Sequence, residues 1–476
     1  MDATQTVLNI FEQLSAIPRG SGNEAQISRW LQARAAASGF SSQSDEAGNL
    51  VIRIPASIGY EKSPCIVLQG HMDMVCEKTP DSPHDFLRDP IRCIVEGEWL
   101  HADRTTLGAD NGIAIAFALT VAEDPTVLHP PLELLFTVQE EVGLGGANLL
   151  KPGFITGKIL LNLDSEDDGT FIIGCAGGQN VHMSLPLSFE PAPFEAAFLL
   201  KVSGLQGGHS GVDIHKHRAS ANKLLARTLA HIQKLTPLAL ASLDGGTAHN
   251  AISRQAEAVF ACAAQQVPVV LQAVQEFQAV LSNEYSASES GISLTLTPAQ
   301  AKRTASLAST ARVIQLITAL PHGIAEMSAS VEGFVETSNN LARIEFVDNT
   351  LNIVTNQRST VMTRMQDLSE RIGACGQLAG AQVSISPPYP GWQPDMKSPL
   401  LQKSVQTYRS LFGSDPQVRM IHAGLECGTI GAIFGGLDMI SLGATIENPH
   451  SPSERLNIPS VDRVWRYLAA FLEASK

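Results

Sequence analysis

Apolar positions at Val7, Ile10, Phe11 and Leu14 recur at helical spacing and predict an opening helix; Ile27, Leu31 and Ala35 predict a second. The pattern then changes to short apolar runs. Residues 49–54, 64–69 (around Cys65-Ile66-Val67-Leu68), 132–138 and 159–163 predict strands, with a buried helix over 113–121. Strands alternating with helices predict an α/β domain whose mostly parallel sheet is covered by helices on both faces. In such sheets, polar residues just past the strand ends line the crevice where ligands bind. His71, Glu140, Glu141 and Asp164 all stand at such ends.

The texture changes near Gly177-Gly178. From about 193 to 386 strands and helices run in the order strand, helix, strand, strand, helix, strand, and this order occurs twice. The first copy has strands near 198–202, 238–243, 256–263 and 292–296, with helices over 219–233 and 269–282. The second has helices over 311–320 and 360–375 and strands near 352–357 and 382–386. Gly246-Thr247-Ala248-His249-Asn250 resembles Val335-Glu336-Thr337-Ser338-Asn339, which suggests duplication. A doubled ferredoxin-like unit, an α+β arrangement, would explain so long an insert. After Pro387-Pro388-Tyr389-Pro390-Gly391-Trp392 the α/β texture resumes, with helices over 399–412 and 460–473 and a strand over 440–442. The expected organisation is a discontinuous first domain, residues 1–180 and 389–476, interrupted by a second over 181–388.

Length agrees with two domains, because 476 residues exceed what one hydrophobic core usually organises. The formal charge of −14, with no basic run to offset it, argues against nucleic acid or an anionic membrane as partner. Seven cysteines without C-x-x-C spacing fit a reducing compartment better than a disulfide framework. The opening Met1-Asp2-Ala3-Thr4 has no basic and apolar leader, and no window has the apolar length of a membrane helix, so a cytoplasmic location is expected.

Five residues from separate strand ends or loops could supply a metal centre: His71, Asp110, Glu141, Asp164 and His450. A catalytic zinc site takes imidazole and carboxylate ligands and keeps a position open for water. A two-metal site adds a bridging carboxylate. Each residue alone has an ordinary reading: a strand-end histidine, an Asp110-Asn111-Gly112 turn, a solvated Glu140-Glu141 pair, or a loop histidine between Pro449 and Pro452. Context changes the balance. Gly70 gives the backbone freedom where the strand presents His71, and Asp73, two residues on, points to the same side to fix the imidazole tautomer. Glu140 and Glu141 follow a strand that should be buried, where two carboxylates are costly without ligands. Adjacent side chains face opposite ways, so one can ligate a metal and the other reach the water.

Leu68-Gln69-Gly70-His71-Met72-Asp73, Leu107-Gly108-Ala109-Asp110-Asn111-Gly112, Thr137-Val138-Gln139-Glu140-Glu141-Val142-Gly143 and Asn162-Leu163-Asp164-Ser165-Glu166 together resemble the motifs of the zinc aminoacylase/carboxypeptidase G clan of metallopeptidases. Gly204-Leu205-Gln206-Gly207-Gly208-His209-Ser210-Gly211, His422-Ala423-Gly424-Leu425-Glu426-Cys427-Gly428 and Glu447-Asn448-Pro449-His450-Ser451-Pro452 are similar to its bacterial aminoacyl-histidine dipeptidase family. Order and spacing match over nearly the whole chain.

The resemblance implies a catalytic domain with an inserted lid. His71 and Asp164 would bind one Zn2+, Glu141 and His450 a second, and Asp110 would bridge them, with Co2+ or Mn2+ as alternatives that these donors accept. It further implies that the peptide after Asp110 is cis, that Asp73 orients His71, that Glu140 is the general base and that His209 stabilises the oxyanion. Asn250, Arg358 and Gly424 would bind the substrate main chain or carboxylate, whereas Glu426 is as readily structural and His215, His217 and His249 are not expected as ligands. The implied substrates are dipeptides with free termini, Xaa-His dipeptides among them. An N-acyl amino acid deacylase or an aminopeptidase is the alternative on the same scaffold. A homodimer is compatible with this reading, and an insert long enough for two units lets His209 act within its own chain.

Overall fold

The computed structural model describes residues 3–476, which divide into two compact units. One comprises the chain up to Cys175, Trp392–Met420 and Leu425–Lys476; the other is Ala176–Gly391 with Ile421–Gly424. The return of Ile421–Gly424 to the second unit had no sequence signal. It is held there by hydrogen bonds from Ala176 N to the carbonyls of Ile421 and Ala423, 3.1 Å each, and by Ser338 Oγ on His422 Nε2 at 2.8 Å.

The first unit is built on an eight-stranded sheet. Its four central strands, Leu132–Thr137, Ile66–His71, Ile159–Asn162 and Asp438–Ser441, are parallel. Antiparallel strands extend it outward: Leu50–Ile54 and Ser41–Ser44 on one side, Thr170–Cys175 on the other. The central strands are apolar runs buried on both faces, as a helix-covered parallel sheet requires. On one side Val51, Val67, Leu135 and Leu160 pack with Cys427 and Ile430 of the helix Glu426–Phe434. The helix Ala109–Glu123, buried from Ile113 to Val121, packs against Ile66–His71 and against the opening helix Ala3–Ser15, which buries Val7, Ile10, Phe11 and Leu14. Register sets the functional edge: His71 pairs with Thr137, so two strands end level, and Asn162 pairs with Gln69, so the third ends two residues earlier and Asp164 follows beyond it.

A smaller four-stranded sheet, Ile446–Glu447, Arg455–Asn457, Trp99–Ala102 and Cys93–Glu96, anchors both ends of the loop that carries His450. The Cys93–Glu96 and Trp99–Ala102 hairpin is absent from the sequence reading, because its alternation is short and half exposed.

The second unit is a nine-stranded antiparallel sheet with the helices Ala221–Leu235, Val267–Glu284, Leu307–Ala319 and Met362–Leu378. Strand Ala196–Ser203 alternates, burying Phe198, Leu200 and Val202 against the helical layer. The sheet has two halves that meet where Leu238–Gly245 pairs with Val335–Val347 through Asp244↔Glu345 and Gly245↔Ile344. The two segments of the suggested internal match differ in conformation: residues 246–250 run through a bend into a turn, whereas Val335 to Asn339 open a long strand. Among the described residues, no helix is long and apolar enough to cross a membrane.

Candidate metal centre

His71 closes its strand at the carboxyl edge of the first unit's sheet and is 1% exposed. Gly70 serves it by size rather than by backbone freedom: a Cβ there would lie 2.4 Å from Asn111 Oδ1 and 2.7 Å from Ala114 Cβ. Asn111 occupies that space because its Oδ1 accepts from His71 N at 3.2 Å and its Nδ2 donates to Leu163 O at 3.0 Å. One amide thus fixes the backbones on either side of it. The Asp110–Asn111 peptide is cis.

The five ligand candidates of the sequence converge around Asp110. His71 Nε2 lies 3.0 Å from Asp110 Oδ1 and 3.4 Å from Asp164 Oδ1. His450 Nε2 lies 3.0 Å from Asp110 Oδ2 and 3.0 Å from Glu141 Oε2. The two Asp110 oxygens therefore face different histidines, each accompanied by one further carboxylate. Donor atoms of His71, Asp110 and Asp164 lie within 4.8 Å of one another, as do those of Asp110, Glu141 and His450. A third such group, His71, Glu140 and Glu141, brings Glu140 beside them.

Asp73, fully buried, has more tasks than the sequence suggested. Its backbone carbonyl is 3.1 Å from His71 Nδ1 and its Oδ1 3.4 Å, which turns Nε2 toward the ligand cluster. The same carboxylate accepts from Glu140 N at 3.0 Å, Glu141 N at 3.2 Å and Ser21 Oγ at 2.7 Å. It therefore holds the turn that presents both glutamates.

The electrostatics are those of a cation site. Burial would lower the His71 pKa, but Asp164, Asp110 and Asp73 override it and hold it well above the ordinary value. Hydrogen bonds to Asp110 and Glu141 raise His450 to about 11, and burial with Asp110 and Glu141 nearby pushes Asp164 up to about 6. Burial raises Glu140 well above the usual carboxylate range despite His71, with Asp164, Glu426 and Glu141 adding repulsion. Glu141 Oε1 and Asp164 Oδ1 are buried with no hydrogen-bond partner among the described residues. Four carboxylates around two imidazoles, with lone pairs left over, fit divalent cations bound by oxygen and nitrogen.

Beneath the cluster lies a polar network. Glu426 Oε2 accepts from Gln69 Nε2 at 2.6 Å and Thr137 Oγ1 at 2.7 Å, and Asn162 Nδ2 donates to Gln69 Oε1 at 2.6 Å. These hydrogen bonds tie three parallel strands together just before their functional ends. Glu426 is fully buried, and burial pushes its carboxyl up to about 7.

The remaining candidates belong to the second unit. His209 pairs with Ala251, and its Nδ1 accepts from Gly211 N at 3.2 Å and Val212 N at 3.0 Å. Burial, then the charge of Arg358, lowers its pKa to about 4. Neutral and accepting at Nδ1, the ring carries its proton on Nε2. Asn250 follows in the adjoining turn, its carbonyl accepting from Ser210 N at 2.8 Å. Arg358 is buried and donates to Ser210 Oγ at 3.3 Å and to Tyr389 Oη at 2.8 Å; among the described residues it has no carboxylate partner. Gly424 faces the same Tyr389 ring, so that a Cβ would meet Cε2 at 3.2 Å. Sequence reasoning passed over Tyr389 as a linker residue in a proline-rich stretch.

The family model for the peptidase dimerisation domain matches residues 200–289. Cytosol non-specific dipeptidase of Escherichia coli (strain K12) is 41% identical over 472 residues, which cover 98% of this chain and 97% of that protein. The crystal structure of aminoacylhistidine dipeptidase from Vibrio alginolyticus superposes with a TM-score of 0.92 at 36% identity, covering 98% of this chain and 96% of that one. The aminopeptidase PepT of Bacillus cereus shares the fold at a TM-score of 0.58 and 16% identity over 99% of this chain and 98% of its own. With so much of its length aligned to the first of these relatives, the chain belongs to the M20 metallopeptidases, in the family of the cytosol non-specific, or aminoacyl-histidine, dipeptidases.

Proposed function

We propose that the chain is a cytoplasmic two-metal dipeptidase that cleaves dipeptides with a free amine and a free carboxylate, Xaa-His dipeptides among them. The observation that carries this reading is the division of the two Asp110 oxygens between His71 and His450, each joined by a further carboxylate. His71 and Asp164 would hold one Zn2+, Glu141 and His450 the other, and Asp110 both; Co2+ and Mn2+ suit the same donors. When bound, such ions lower the pKa of a water and polarise a carbonyl.

The chain's own groups then divide the work. Glu140 takes a proton from the attacking water and passes it to the leaving amine. Its burial raises its affinity for that proton, and Asp73 fixes its backbone. His209, neutral with its proton on Nε2, donates to the oxyanion that forms at the scissile carbonyl. Arg358, buried without a carboxylate of its own among the described residues, receives the substrate carboxylate, with Asn250 and Gly424 beside the peptide. These three roles rest on geometry internal to the second unit. The match to a peptidase dimerisation domain supports a homodimer, and we assign His209 to its own chain.

A hydrolysis panel on the metal-loaded protein tests the proposal: Xaa-His dipeptides, other dipeptides, a tripeptide and an N-acetyl amino acid. Dipeptides should be cleaved far faster than the last two. Faster cleavage of the N-acetyl amino acid would favour a deacylase, and of the tripeptide an aminopeptidase. For His209, a mixed dimer of His209→Ala and Glu140→Ala chains should stay inactive; recovered activity would mean that it acts across the dimer.

A further inference from the structure

We propose that Arg19 and Glu454 are positioning residues for the metal centre, an oppositely charged brace that fixes the three ligand-bearing segments against one another. The inference rests on the two-metal reading above. Arg19 is 1% exposed yet directs its guanidinium at backbone carbonyls. Nη1 donates to Met72 O and Asp73 O at 3.0 Å each, on the segment that follows His71, and Nη2 donates to Gly108 O, on the segment that precedes Asp110. Nε stays buried without a partner among the described residues, a cost accepted in bringing the fork to these carbonyls.

Glu454 grips the same loop from its amide side. Oε2 accepts from Leu107 N at 2.8 Å and Gly108 N at 3.0 Å; Oε1 accepts from Ala109 N at 2.7 Å and Asp110 N at 3.3 Å. Glu454 is 2% exposed and sits one turn beyond His450, its own N–H bonded to Ser451 O at 3.0 Å. The loop bearing the bridging carboxylate is thus held by Arg19 through a carbonyl and by Glu454 through four amides. The sequence makes room for this brace: a Cβ on Gly108, whose φ is +72°, or on Gly112 would lie 2.6 Å from Arg19 Nη2. Two buried charges that contact ligand-loop backbone, and no ligand side chain by hydrogen bond, set where Asp110 stands relative to His71 and His450. Outer partners bonded directly to ligand side chains commonly govern metal affinity about 10–100-fold, and we take the lower end as the scale for a brace that acts through the ligand-loop backbone.

The test measures zinc bound per chain by equilibrium dialysis against buffered zinc, together with the melting temperature of the zinc-free protein. Wild type is compared with Glu454→Gln, Arg19→Lys and a control, Glu133→Gln. Glu133 is equally buried and likewise accepts backbone amides, Thr156 N at 2.7 Å and Gly157 N at 3.0 Å, at the far end of its strand from the centre. Glu454→Gln should weaken at least one zinc by about tenfold or more, with hydrolysis recovering at high zinc and KM little changed. The control should lose melting temperature but keep both zinc affinities. If Glu454→Gln binds both zinc ions as tightly as the control, the brace is overturned. If Glu454→Gln does not fold, Arg19→Lys, which keeps the charge and loses the fork, decides by the same comparison. A wild-type protein that binds fewer than two zinc ions contradicts the two-metal reading itself, a result distinct from unaltered variants of a protein that binds two.

Discussion

Asp110 gives the centre its symmetry and Asp73 its stiffness, so the chemistry can be dissected side chain by side chain. In the proposed mechanism Glu140 has a role in turnover and none in metal retention. Glu140→Gln should lower kcat by about 10²–10⁴-fold while two metals remain bound, measured by steady-state kinetics alongside metal analysis. Wild-type turnover would remove it as the base. His209→Ala should cost about 10²–10³-fold in kcat, the usual value of one oxyanion donor. Arg358→Met should raise KM for dipeptides and have little effect on their C-terminal amides, which offer no carboxylate. At this scale His71, Glu141 and Asp164 stood out as polar residues placed where an apolar strand has just ended, and Asp110 and His450 through the motifs around them. Arg19, Glu454 and Tyr389 were not. Arg19 and Glu454 act through backbone atoms, and Tyr389 through a side-chain hydrogen bond brought about by folding, so none leaves a periodic trace in the chain.

At the scale of elements, the strand Ile66–His71 does most to build the site, and it tolerates no extra atom where it meets Asn111. Gly70→Ala should destabilise the fold by about 1–3 kcal/mol and weaken metal binding, because the new methyl displaces the amide that holds His71 and Leu163. A melting curve and a zinc titration check both effects; an unaltered protein would mean the contact relaxes freely. The parallel strands were readable from short, mostly apolar runs, and the helix Ala3–Ser15 from the spacing of Val7, Ile10, Phe11 and Leu14. The hairpin under the His450 loop and the return of Ile421–Gly424 were not, since short half-exposed strands and brief crossovers carry too few apolar positions. The likeness between 246–250 and 335–339 does not carry over to conformation, because similar residues met different hydrogen-bonding surroundings, an irregular turn in one case and a strand ladder in the other.

For the molecule as a whole, stability depends on protons as well as on packing. His422 is buried in the second unit, and burial together with Arg358, His209 and His215 pushes its pKa down to about 3. For a histidine held below its ordinary value, protonation costs folding stability. Its contribution is therefore complete above pH 6.5 and is lost as pH falls from there toward 3. The displacement from 6.5 corresponds to roughly 4–5 kcal/mol over that window. Zinc-free protein should show a melting temperature that declines below pH 6.5, and His422→Gln should show a shallower decline. Equal slopes would remove His422 as a cause. The discontinuous two-domain plan was an expectation drawn from ligand candidates on both sides of the insert. Metal identity was not, since imidazole and carboxylate donors accept several divalent ions.

The central claim is that two metals, shared through Asp110, make this chain a dipeptidase. Its most direct test is a titration of metal-free protein with zinc, reading bound zinc and dipeptide hydrolysis in the same samples. Activity should reach its plateau only as the second zinc per chain is taken up, and Asp110→Ala should abolish both the second equivalent and the activity. Full activity at one zinc per chain, or an Asp110→Ala protein that still binds two and turns over, would contradict it.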